Sequence, residues 1–71
     1  MKIMAQIRGS LDWIEIPSGD ASSELRILIE IMHSHGFEVR YNAGSRNITG
    51  GYSVINPITR ETEVFYRLDS E

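Results

Sequence analysis

DASSELRILIEIMHSHGF, residues Asp20–Phe37, decides how this chain folds, because its apolar residues follow a helical period. Leu25, Leu28, Ile29 and Met32 fall at i, i+3, i+4 and i+7, the stripe of a helix that packs on a sheet. Ile27 and Ile31 add a second stripe beside the first. At about 100° per residue the six side chains span roughly 200° of the helix, whereas packing on one sheet needs little more than about 100°. The surplus calls for a second surface, either a covering loop or another copy of the chain. We therefore expect a homodimer whose interface includes Ile27 and Ile31, or the outer face of the sheet if a loop covers that stripe. Asp20 is the expected N-cap, with Ser18 and Ser22 as near alternatives. Gly36 suits the left-handed position after the last turn, which lets Phe37 fold back onto Met32.

Upstream of the helix, residues 1–16 read as a hairpin. Gly9-Ser10 suits a two-residue turn that sets Arg8 opposite Leu11, Ile7 opposite Asp12, Ala5 opposite Ile14 and Ile3 opposite Ile16. Ile3, Ala5, Ile7, Ile14 and Ile16 then share one face. Pro17 ends the second strand. Downstream, Phe37–Asn42 alternates as a third strand, and residues 43–51 (AGSRNITGG) read as a flexible loop. Tyr52–Ile55 and Thr62–Leu68 form a last hairpin around Asn56-Pro57, with Pro57 at the first corner of a type I turn. The expected core is Ile3, Ile14, Ile16, Leu25, Leu28, Ile29, Met32, Val39 and Val64.

The element order is thus ββαβββ in a single domain over residues 1–71. We expect a small α+β fold, a largely antiparallel sheet with one helix packed across one face. A hairpin, one crossing helix and further strands resemble the β-grasp arrangement of ubiquitin-like domains. That resemblance covers element order alone, and it implies that the first and last strands run parallel at the centre of the sheet. It implies no function, since the chain reads Asp69-Ser70-Glu71 where conjugated modifiers carry a glycine pair.

Composition narrows the function classes. The 71 residues include no cysteine, which rules out disulfides, thiolate metal sites and cysteine nucleophiles. Hydrophobic content of 41% with 24% charged residues suits a folded domain. No apolar run approaches a membrane span or a signal-peptide core, so the expectation is a cytoplasmic chain. The formal net charge is −3, which offers no overall field for nucleic acid, and six of the seven cations are arginines.

The chemistry-bearing residues are few. His33 and His35 point about 200° apart on a helix and cannot chelate one ion within one chain, so no metal or cofactor is expected. Glu61 and Glu63 share a strand face, where carboxylates keep a strand soluble more readily than they do chemistry. The loop holding Arg46 offers a forked cation and free amides for a contact, although Asn47-Ile48-Thr49 matches a glycosylation acceptor that has no meaning without secretion. The outer sheet face carries more weight. Trp13, Leu11, Met4, Phe65, Arg8, Arg40 and Arg67 all project away from the helix on the alternation above. Aromatic and arginine side chains together suit a protein partner or stacked single-stranded bases. The expected function is a non-enzymatic protein-interaction module, an adaptor or inhibitor of a larger macromolecule, such as a mobile-element inhibitor of a host nucleic-acid-handling protein. Direct nucleic-acid binding through the arginine and aromatic face is the alternative.

Overall fold

A computed structural model describes residues 1–44 and 50–70. The elements are β1 (Lys2–Ile7), β2 (Ile14–Ile16), α1 (Ala21–Ser34), β3 (Glu38–Asn42), β4 (Gly51–Ile55) and β5 (Thr62–Asp69). One five-stranded sheet forms in the order β2-β1-β5-β4-β3, antiparallel at every step. The α+β class and the ββαβββ order are as expected. The parallel central pair that the β-grasp resemblance implies is not formed. β1 and β5 do lie side by side, but antiparallel, with Lys2 opposite Asp69 and Ile7 opposite Val64. The cause is parity. The helical crossover returns the chain so that β3 runs in the direction of β2, and two successive reversals then leave β5 running with β3, against β1.

Both ends of α1 close through their caps. Asp20 accepts from the Ser23 amide, and the Glu24 carboxylate reaches back 2.7 Å to accept from the Asp20 amide, a reciprocal arrangement that satisfies two free donors. At the other end the Phe37 amide donates to the Met32 carbonyl and the Gly36 amide to that of His33, with Gly36 at φ +95°. That pair of bonds is a Schellman ending, as the sequence predicts.

The first hairpin keeps the expected register at its open end, with Ile3 opposite Ile16 and Ala5 opposite Ile14. Its turn differs. The reversal occurs over Ile7–Ser10, where the Ser10 amide donates to the Ile7 carbonyl at 3.0 Å and Gly9 takes φ +87°. Arg8 does not face Leu11, because its amide donates instead to Glu63 of β5. That amide points to the β5 edge of β1, opposite β2, so it cannot close the hairpin, and Leu11 is left 93% exposed. The second hairpin turns on Asn56, whose side-chain oxygen accepts from the Ile58 and Thr59 amides.

Ile3, Ala5, Ala21, Leu25, Val54 and Tyr66 form the buried centre, with Ile16, Leu28, Ile29, Met32, Phe37, Val39, Tyr52, Val64 and Leu68 packed around it. Of the expected core, Ile14 falls outside, at 49% exposure. It lies on the correct face, but α1 rests mainly over β1, β3 and β5, and on β2 it is Ile16, not Ile14, that packs against the core. Ile27 and Ile31 remain 54% and 47% exposed. No described part of the chain covers the surplus apolar arc of the helix.

Candidate functional site

The registers divide the sheet into two faces. Ile3, Ala5, Tyr66, Val64, Leu68, Val54, Tyr52 and Val39 look toward α1, so Met4, Gln6, Phe65, Arg67, Asp69, Ser53, Glu38 and Arg40 look away. Trp13 stands one step before β2, in line with Gln6 on β1 and Phe65 on β5 if the β1–β2 register is continued. It is the anchor of this outer face. Its ring meets Phe65 edge-on, with centroids 5.9 Å apart and planes at 78°. The Arg67 guanidinium lies 3.9 Å from the Trp13 ring centroid, within cation–π range. Asp69 holds that guanidinium through one hydrogen bond from Nη2 at 3.0 Å and an ion-pair contact 2.8 Å from Nε, which has no aligned hydrogen bond. The result is a preset layer, Phe65–Trp13–Arg67–Asp69, in which each side chain holds the next.

Gly51 lets this layer lie flat. It is buried on β4 next to the Phe65 ring, and a Cβ there would fall 2.8 Å from two ring atoms and closer still to the Tyr66 carbonyl. Only a residue without a side chain fits this position.

The described arginines of the face are each paired with a carboxylate. Arg8 bridges Glu61 and lies 3.2 Å from Glu63, Arg40 lies 3.2 Å from Glu38, and Arg67 is held by Asp69. Glu61 and Glu63, read as a solubilising pair, therefore act together as the seat of Arg8. Each of these arginines has an acidic neighbour, which lowers the positive potential that a phosphate backbone would meet on this face.

The structure thus brings Trp13, Phe65 and Arg67 together among the expected site residues. Arg8 sits at the hairpin end of the face, and Arg40 lies two strands from Phe65, on β3. Leu11 projects into solvent and joins none of them. Arg46 lies outside the described residues, as does most of the loop it belongs to. Asp69 and Gly51 were not foreseen. The Arg67–Asp69 spacing of two on one strand was a usable signal, since such residues share a face, but the need for glycine at position 51 follows only from the β4–β5 register.

Two grooves flank α1 on the other side of the sheet. Ile29, Glu30, His33, Ser34, Val39, Tyr41 and Tyr52 line one of about 400 Å³ beside β3, where the Tyr41 and Tyr52 rings stand 5.0 Å apart. Ile16, Pro17, Glu24, Ile27 and Leu28 border the other, toward β2. Among the described residues no three His, Cys, Asp or Glu side chains converge as metal ligands, and no helix is long and apolar enough to cross a membrane. No protein-family model, curated protein or solved structure matches this chain.

Proposed function

We propose that the chain is a non-enzymatic protein-interaction module that binds a protein partner through the outer face of its sheet, in the cytoplasm, as an adaptor or inhibitor. The Phe65–Trp13–Arg67–Asp69 layer carries this reading. Tryptophan and arginine are the residue types that dominate the binding energy of protein interfaces, and here both are held in place before any partner arrives. Nucleic acid is the second reading, favoured by the same aromatic pair and opposed by the carboxylates that occupy Arg8, Arg40 and Arg67. An inhibitor of a nucleic-acid-handling protein remains within the first reading. Self-association also belongs to it, supported by the apolar residues the fold leaves uncovered, Ile27 and Ile31 among them.

Affinity capture from the source cell, with half the sample treated with nuclease, separates the two readings. The expected result is a protein retained after nuclease and lost with Trp13→Ala. Quenching of Trp13 by a short single-stranded oligonucleotide, strongly weakened by added salt, is the result that would favour nucleic acid.

A further inference from the structure

We propose that two copies of this chain join through the free edge of β3, antiparallel, across a two-fold axis at Val39. This rests on the self-association in the reading above and places it at the sheet edge, away from the Ile27–Ile31 stripe.

The two edges of the sheet are unlike. β2 has three residues and runs into Pro17, which cannot donate to a ladder. Short strands and prolines are the usual means of closing an edge to further pairing. β3 has five residues, a regular register with β4 and no proline or lysine. Alternate amides and carbonyls along it point away from β4, and no described strand takes them.

Charge selects the register. With Val39 opposite its own copy, Glu38 faces Arg40 of the second copy and Arg40 faces its Glu38, all four on the outer face. Opposite charges directly across an antiparallel pair stabilise it, and like charges oppose it. Moving the axis to Arg40 would set the two guanidiniums against each other, and moving it to Glu38 would do the same to the carboxylates. Within one copy, Arg40 Nε lies 3.2 Å from Glu38 Oε2, a buried oxygen with no aligned hydrogen bond, while the Glu38 side chain as a whole is 38% exposed. The Arg40 side chain is 61% exposed, so its outer nitrogens are free to reach a carboxylate across the axis.

The helix-facing side agrees with this register. Tyr41, 63% exposed, would meet Phe37 of the second copy. The groove lined by Ile29, Val39, Tyr41 and Tyr52 opens at this edge, and the incoming strand closes it. Ile27 borders the groove on the other flank of α1, so the helix stripe is a separate surface.

Light scattering on a sizing column tests the proposal, with circular dichroism to confirm that each variant is folded. The expected mass is twice the 8.1 kDa of one chain. Arg40→Glu alone and Glu38→Arg alone should each give the single-chain mass, because each sets like charges across the axis. The double variant Glu38→Arg/Arg40→Glu should recover the dimer, since it restores both pairs in reverse. A single-chain mass for the unaltered protein at high micromolar concentration would overturn both the dimer and this interface. A dimer that survives the single reversals, that is not recovered in the double variant, or that is lost instead with Ile27→Glu/Ile31→Glu, would overturn the β3 interface alone.

Discussion

Gly51 and Asp20 are the two residues at which a single atom or proton has the clearest effect. A methyl group at position 51 meets the Tyr66 carbonyl, which is backbone and cannot rotate away, and the Phe65 ring that supports Trp13. Gly51→Ala should therefore cost about 1–3 kcal/mol in denaturant unfolding, the usual penalty for overfilling a packed site. It should also shift Trp13 emission, which a loss of stability alone would not do. At Asp20, the Ser23 hydroxyl and then the Ser23 amide hold the carboxyl below the usual carboxylate range. A depressed carboxyl stabilises the fold above its unfolded-state pKa and loses that contribution as pH falls through the folded value. Thermal melts should therefore show the cap intact at neutral pH and weakened under acid conditions. Asp20→Asn, which caps without titrating, should flatten that part of the pH dependence. Tyr66 behaves oppositely at the other end of the scale, since burial raises it above 10.0 and alkaline ionisation works against the fold.

The elements differ in how far their residues alone determine them. The helix was legible at both ends because caps are local. Asp20, Gly36 and Phe37 act on groups within five positions of themselves. The β1–β2 register was legible for a similar reason, since two alternating patterns allow one alignment. The turn that joins them was not, because a residue 55 positions away, Glu63, takes the Arg8 amide. Local pattern carries no information about that competition. Burial along the helix gives a test at this scale. Leu25→Ala should cost about 2–5 kcal/mol, as for a fully packed leucine. Ile31→Ala, measured at concentrations that keep the chain monomeric, should stay within about 0.5 kcal/mol of the parent. Gly36→Ala, which forces a Cβ into a left-handed backbone, should cost about 1–2 kcal/mol. Equal losses at Leu25 and Ile31 would mean that the helix presents a different face to the sheet.

For the whole molecule, the outer face was legible as a list of residues and illegible as an arrangement. Alternation placed Trp13, Phe65, Arg8, Arg40 and Arg67 on one side, but their spacing across the sheet depends on β5 inserting between β1 and β4. That insertion brought Glu61 and Glu63 beside Arg8, whereas Arg40 and Arg67 pair with carboxylates two positions away on their own strands. It also separated Arg40 from the aromatic layer. The antiparallel sense of β1 and β5 was hidden for the same reason, since it depends on the number of reversals after the helix and not on any residue.

Because Lys2 lies opposite Asp69, the two ends of the central ladder are adjacent and point the same way. A force applied between positions 2 and 69 would therefore open the β1–β5 pairing one hydrogen bond at a time, like a zip. Handles at Lys2 and Thr62 would load the same bonds simultaneously, in shear. Single-molecule pulling should find the first geometry yielding at distinctly lower force than the second. Parallel terminal strands would reverse that ranking, loading in shear whenever the chain is drawn out by its ends. The odd number of strands after the crossover thus leaves this fold mechanically soft along the line of its own chain.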